Sequence, residues 1–409
     1  MAEKVTKLLV FTSLFPSHVQ PGAGLFIRER MFRVAKHLPL IVVSPVPWFP
    51  LQGLIRYFKP GYRPQPEKYE EQQGIMVYYP RFLAVPGVLR RFDGFSMALC
   101  SFFLLLRLKR RFQFTVIDSH FAWPDGYGAT LLGRWLRVPV TITLRGTEVP
   151  HSKNSLQRTK IVVALDKAAR VFSVADSLKR HVVGLGARAE KIQVVGNGVD
   201  TERFVQEDQS EARARFDLPR DAQVLVTVGG LVERKGFHRV IELMPALLEE
   251  FPRLYYLVVG GASAEGDWDE RLKAQACKSG ISDRVLFTGA IAPDELRWPL
   301  SAADVFVLPT SNEGWANVFL EAMACGLPVV TSDVGGNPEV VCNDDLGTIV
   351  PFGYPQLLLK AIVAALNKNW QRDKIMDYAR NNSWDHRVEH LLTAFEEITY
   401  PSCERGGKA

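Results

Sequence analysis

Short apolar runs alternate with longer mixed segments along the chain. The runs at 7–12, 40–44, 114–117, 140–144, 171–174 and 192–195 are four to six residues long. Runs of that length suit strands buried on both faces, as in a parallel sheet covered by helices. Segments 24–37, 127–136, 161–167 and 177–185 lie between them and read as helices. The alternation breaks at 207–223 (EDQSEARARFDLPRDAQ), a polar linker with room for a short helix. It then restarts, with strands expected at 224–228, 255–259, 285–287, 305–308 and 329–331. Helices are expected at 237–249, 293–301 and 318–325. The pattern predicts an α/β protein of two similar domains joined near residue 205.

Composition narrows the class. Of 409 residues, 47% are apolar and 23% charged, so there is ample material for cores and global disorder is excluded. Five cysteines without a CxxC give neither a disulfide framework nor a zinc site, which fits a reducing compartment. Charge is unevenly spread. Residues 1–111 carry 17 Lys/Arg against 6 Asp/Glu, while the remainder carries 33 against 38. A membrane surface, a nucleic acid or an anionic substrate each fits a basic end of this kind.

The N-terminal apolar stretch 8–15 is short and lacks a small-residue cleavage site, so it reads as a first strand, not a leader. The run 94–106 has 13 residues, whereas a bilayer needs ~20, so no spanning helix is expected. Arg90 and Arg91 precede that run, and Arg107, Lys109, Arg110 and Arg111 follow it. A second segment joins Trp48, Phe49 and Leu51 to Arg56, Tyr57, Phe58 and Lys59. Two readings stand for the pair: peripheral contact with an anionic membrane, or a buried helix with a solvated end and an ordinary loop. The basic residues keep apolar company and no recognition motif is present, which favours lipid over nucleic acid.

Candidate chemistry concentrates at 308–340, LPTSNEGWANVFLEAMACGLPVVTSDVGGNPEV. Glu313 lies in a polar loop just before a helix, and Glu321 lies within that helix, seven residues further on. A helix start offers free N–H groups and a dipole that favours phosphate, and a carboxylate beside it can accept sugar hydroxyls. The plain alternative is two solvated carboxylates. In VGGLVERKGF (228–237), Lys235 sits at a glycine turn, placed for a diphosphate or merely solvated. Asp267-Trp268-Asp269 fits a DxD metal pattern but reads as part of a solvated loop.

Several segments together resemble the GT-B glycosyltransferases, and within them the retaining family 4. They are FPSHVQPGAGLFIRE, DSHFAWPDGYGATLL, VTITLRGTEV, KIQVVGNGVDTERF, VGGLVERKGF, RVLFTGAI and the E-x7-E block with EAMACGLPVVTSDVGGNPEVV. The resemblance implies two Rossmann-like domains facing a cleft, at 1–205 for the acceptor and 206–383 for the nucleotide-sugar. It implies that 384–409 forms a helix crossing back to the first domain. Glu313 matches the carboxylate near the reacting sugar carbon, and Glu321 the one that binds ribose. Lys235 matches the lysine that neutralises the leaving diphosphate, and Gly24 the N-terminal loop glycine near it. Gly314, Trp315, Ala316 and Asn317 match the loop whose N–H groups hold sugar and phosphate, and Gly289 to Ile291 the region lining the base.

Two positions depart from the family pattern. An arginine common in the family is Gly230 here, with Arg234 as the available substitute. A common His-Gly on the acceptor side is Arg145-Gly146-Thr147, with His120 nearby as another candidate acceptor contact. An arginine stays protonated, so Arg145 suits an anionic acceptor and not a base. The resemblance implies a metal-independent enzyme without a cofactor. It would move a sugar, from a UDP-sugar first of all, to a glycan or lipid-linked acceptor, in the cytoplasm or on the inner face of the cell membrane. A catalytically silent subunit that binds sugar nucleotides is the alternative.

Overall fold

Aliphatic runs with no side chain left for solvent become the central strands; Leu8–Phe11 and Leu40–Val43 are buried at every position. The computed structural model describes residues 5–59, 62–85, 90–263 and 265–400, so 401–409 of the expected returning segment lie outside the described residues. The chain divides into two units, Met1–Gly196 with Arg387–Ala409, and Asn197–His386.

The first unit holds β1 (Leu8–Phe11), β2 (Leu40–Val43), β3 (Val46–Trp48), β4 (Tyr69–Gln72) and β5 (Ile75–Tyr78). It continues with β6 (Arg81–Leu83), β7 (Val116–His120), β8 (Val140–Leu144), β9 (Arg170–Ser173) and β10 (Ile192–Val194). Eight of these form one sheet in the order β10-β9-β8-β7-β1-β2-β5-β4, and β3 pairs with β6. Only β4, on the edge, runs antiparallel to its neighbour. β7 departs from the expectation at 114–117. It runs on through Asp118, Ser119 and His120, all buried, because Thr141 on β8 donates its hydroxyl to Asp118 and so satisfies a polar strand interior.

The helix Asp93–Arg111 contains the apolar run noted above. Met97, Ala98, Ser101, Leu105 and Leu108 recur at helical spacing and face the core. Gln52–Phe58 is also a helix, and β3 precedes it, where a loop was one reading of the sequence. From the final helix Trp384–Thr399, Val388, Leu391, Ala394 and Phe395 pack into the first unit's core with Leu8, Val10 and Ile27.

The second unit holds β11 (Gln223–Val228), β12 (Leu254–Val259), β13 (Val285–Gly289), β14 (Val305–Leu308), β15 (Val329–Ser332) and β16 (Gly347–Val350). All are parallel, in the order β13-β12-β11-β14-β15-β16. This is the doubly wound order, in which the chain switches direction between the first and fourth strands and ligands bind at the strand ends there. β16 and the helices Pro355–Asn367 and Arg372–Asn381 add to the sequence expectation.

Candidate functional site

In the second unit the switch point lies between β11 and β14, and the loops that leave these strands carry the candidate residues. After β11 the chain makes the turn 229–236 and enters the helix Phe237–Glu250. Arg234 and Lys235 stand in that turn. After β14 comes the loop with Glu313, then the helix Asn317–Ala324. The two loops meet through side chains. Lys235 Nζ donates to Glu313 Oε1 at 2.5 Å, and Arg234 Nη1 donates to the same oxygen at 3.0 Å. Glu313 is 9% exposed, so this carboxylate sits with two cations in a poorly solvated place.

A second carboxylate fixes Arg234. Its Nε and Nη2 donate in parallel to Glu265, at 2.6 and 2.7 Å, the fork geometry that suits a guanidinium. The Arg234 guanidinium holds the Glu265 carboxyl below its ordinary range. Arg234 is held above its own ordinary value, by the Glu265 bonds first. The Glu313 backbone is seated against 335–336: the Gly336 N–H donates to its carbonyl at 3.4 Å. Gly335 has φ +54°, and a Cβ there would run into the Glu313 carbonyl oxygen. Ala316 precedes the helix Asn317–Ala324 without any side-chain cap, so its first N–H groups suit an anion.

The first unit carries a second polar cluster, also at a switch point, between β1 and β7. Ser13, just past β1, donates through its N–H and hydroxyl to Asp125. Burial pushes Asp125 up to about 7, partly offset by the Ser13 bonds. Glu148 accepts the N–H groups of Ala122, Arg145 and Gly146 at 3.0, 3.2 and 2.8 Å, and so ties the loops after β7 and β8 together. Arg145 Nη2 lies 3.1 Å from His120 Nδ1. A guanidinium only donates, so His120 Nδ1 is bare and its proton sits on Nε2, 3.4 Å from Asp118. Burial, and then the Arg145 and Arg30 charges, keep His120 neutral, well below its ordinary pKa. Burial also raises Asp118 to about 6 and lowers Arg30 to about 10.

Residues 208–382 match the family described as "Glycosyl transferases group 1", and 55–203 the family described as "Glycosyltransferase Family 4". The Bacillus subtilis glycosyltransferase TuaC, named for teichuronic acid biosynthesis, is 31% identical over 338 residues, 81% of this chain and 82% of that protein. The chain belongs to glycosyltransferase family 4. It is a glycosyl-transferring enzyme with the GT-B fold. A D-inositol 3-phosphate glycosyltransferase of Stackebrandtia nassauensis is 30% identical over 360 residues, 81% of this chain and 79% of that one. Among solved structures, sucrose-phosphate synthase of Thermosynechococcus elongatus covers 98% of this chain and 100% of its own, with TM-score 0.77 and 18% identity. Anabaena HepE in complex with UDP covers 96% and 100%, with TM-score 0.71 and 18% identity.

In this glycosyltransferase, Lys235, Arg234 and Glu313 are brought into direct contact. Glu321 lies on the helix Asn317–Ala324, half-buried. Gly314 is half-buried in the loop, and Ala316 is buried. Trp315 packs on the second unit's core. Asn317 accepts a bond from Asn197 Nδ2 at 2.9 Å. Gly289 ends β13, exposed, and Ile291 packs half-buried on the same core. Gly24 belongs to the first unit, with φ +68° before the helix Leu25–Val34, and a Cβ there would strike the Leu14 carbonyl. Thr147 is half-buried. His120 is wholly enclosed and meets its surroundings through Arg145, which is half-buried and stacks 5.2 Å from the Phe26 ring.

Sequence reasoning missed Glu265, Gly335, Asp118 and Arg30. Gly335 and Asp118 stood inside segments already singled out, but a loop–loop contact and a buried pairing leave no periodic trace. The sequence pattern places Asp269 in a loop. It instead opens the helix Asp269–Lys278 and pairs with Lys273 at 2.7 Å, while Asp267 is exposed in the preceding loop.

Proposed function

We propose that this glycosyltransferase is a retaining enzyme that takes a nucleotide diphosphate sugar, a UDP-sugar first of all, and places the sugar on a glycan or lipid-linked acceptor of a surface polysaccharide. The observation that carries the reading is the convergence of Lys235, Arg234 and Glu313 at the switch point of the second unit, beside the uncapped start of Asn317–Ala324. In the reaction the bond from the anomeric carbon to the diphosphate oxygen breaks and negative charge grows on the leaving group. Lys235, with Arg234 beside it and the helix N–H groups, would stabilise that charge. Glu313 would orient the sugar, and Glu321 would accept ribose hydroxyls. The acceptor hydroxyl attacks the same face and passes its proton to the leaving phosphate oxygen, so no protein nucleophile is needed.

The first unit would receive the acceptor, with Arg145 aimed by the neutral His120 toward an anionic group. The Bacillus subtilis relative is named for teichuronic acid, which supports a surface-glycan acceptor. HepE has been solved with UDP-glucose, which supports a UDP donor. The membrane part of the proposal rests on exposed apolar side chains. Leu54, Tyr57 and Phe58 are 69, 84 and 78% exposed on one helix, and Phe95, Leu99 and Phe103 are exposed on another. No helix among the described residues is long and apolar enough to cross a membrane.

Calorimetric titration with UDP-, GDP- and ADP-sugars, on wild type and Lys235→Ala, tests the donor. Micromolar binding of one donor that the variant loses supports the reading. No binding by any donor turns it toward a silent subunit. NMR of the product's anomeric carbon tests retention, and flotation with anionic liposomes tests the membrane contact.

A further inference from the structure

The first unit has a cavity of about 1150 Å³ lined by none of the loops that leave β1, β7 and β8. It lies along the sheet edge formed by β4 and β5, against the C-terminal half of the helix Asp93–Arg111. That volume is above the ~300–1,000 Å³ usual for drug-sized ligands. Its floor is apolar, with Ile41, Met76, Tyr78, Leu104 and Phe112. Met76, Tyr78, Leu104 and Phe112 pack on the core below yet are only partly buried. An apolar floor left this open favours something that covers it and takes its side chains out of water.

The walls say what that something is. Lys68, Arg81, Arg107 and Arg111 line the cavity, against one carboxylate, Glu67. All four cations are exposed, and none has an ion-pair partner among the described residues. A purely apolar occupant leaves this excess of positive charge unmatched, and a small polar anion leaves the floor wet. A ligand that meets both demands is an apolar chain ending in a group that accepts several charge-assisted bonds, and a phosphate offers arginine the most acceptors.

We propose that this groove binds a phosphorylated lipid chain, with the chain on the Ile41–Met76–Leu104 floor and the phosphate among Lys68, Arg81, Arg107 and Arg111. Neither Lys235 nor Glu313 lines this groove, and the proposal does not depend on the donor reading.

The test uses the full chain and three soluble probes: farnesyl phosphate below its aggregation limit, farnesol and inorganic phosphate. Calorimetry is expected to show farnesyl phosphate binding at least ~10-fold more tightly than farnesol, and no measurable inorganic phosphate binding in the same range. Arg107→Gln with Arg111→Gln is expected to weaken farnesyl phosphate roughly 10-fold and leave farnesol unchanged. Leu104→Trp, which fills the floor, is expected to abolish binding of both chain ligands. UDP-sugar binding by the same variants reports that they are folded, and a failure of the donor reading appears only in that titration of the wild type. Equal affinity for farnesol and farnesyl phosphate overturns the proposal, as does inorganic phosphate binding as tightly as its prenyl ester. Absence of farnesyl phosphate binding overturns it too, including the case where the groove variants instead abolish a dimer seen by sedimentation.

Discussion

Lys235 Nζ lies 2.5 Å from Glu313 Oε1, and the same oxygen takes Arg234 Nη1 at 3.0 Å. One carboxylate oxygen thus holds the two cations proposed to receive a diphosphate. A diphosphate that engages Lys235 competes with Glu313 for it. Glu313→Gln keeps the shape and removes the charge. It is expected to tighten UDP binding by at least ~5-fold, the upper end for an exposed ion pair, because this pair is poorly solvated. If Glu313 orients the sugar as proposed, turnover falls roughly 100-fold with the loss of its charge. Calorimetry with UDP and steady-state kinetics check the two halves separately. UDP bound more weakly by the variant shows that the carboxylate does not compete.

Arg234 and Lys235 are adjacent but not equivalent. Arg234 has Nε and Nη2 on Glu265 and Nη1 shared by Glu313 and the Asn312 carbonyl. Those bonds join three loops, so the side chain acts mainly as a brace. Lys235 donates to Glu313 alone among the described side chains, and so turns to a ligand more readily. Lys235→Ala is expected to lower kcat/KM roughly 100-fold, and Arg234→Gln only about 10-fold. Arg234→Gln should instead show the larger drop in Tm. The reverse ranking in kinetics would make Arg234 the true replacement for the cation missing at Gly230.

The strands were legible in the sequence wherever both faces are buried, as at Leu8–Phe11 and Leu40–Val43, because nothing interrupts the apolar run. They were illegible where polar groups take part. Asp118 and His120 lie inside β7, satisfied by Thr141 and Arg145, and single-sequence patterning reads them as a strand end. β4 is an edge strand whose exposed face carries Tyr69 and Glu71 and whose half-buried face carries the polar Glu70 and Gln72, so its period is hidden. At the site, Lys235 and Glu313 stood out by their place beside glycine turns and a helix start. Glu265 did not, because its loop carries no pattern and meets Arg234 only through the tertiary fold.

Gly335 supports Glu313 from behind. Its φ of +54° is left-handed, and the position of a Cβ is occupied by the Glu313 carbonyl oxygen. Gly335→Ala faces both a backbone cost of about 1–2 kcal/mol and a collision that pushes the Glu313 loop. Gly335→Asn relieves part of the first and none of the second. Both variants are therefore expected to lose most turnover, with Asn somewhat more stable than Ala but no more active. Thermal melts and kinetics on the pair decide it. Full activity in the Asn variant would show that only the backbone angle matters there.

Asp125 gives the fold a pH dependence whose sign is fixed by burial. Its carboxyl moves from an ordinary 3.8 to about 7, because the site excludes water and Glu148 adds a like charge. Between those values the folded protein keeps a proton that the unfolded chain has released. Stability is therefore greatest below the lower value, falls as pH rises through the window, and levels off above the upper one. Asp118, raised to about 6, adds a slope of the same sign over a shorter range. Asp125→Asn keeps an acceptor for the Ser13 N–H and offers a donor to the Ser13 hydroxyl, so the loop bond survives without the titration. Urea unfolding at pH 4.5 and 7.5 should show a smaller loss for the variant than for wild type, with the Asp118 share remaining. Equal losses in the two proteins would mean that Asp125 is already ionised in the fold, with its charge carried by the Ser13 bonds.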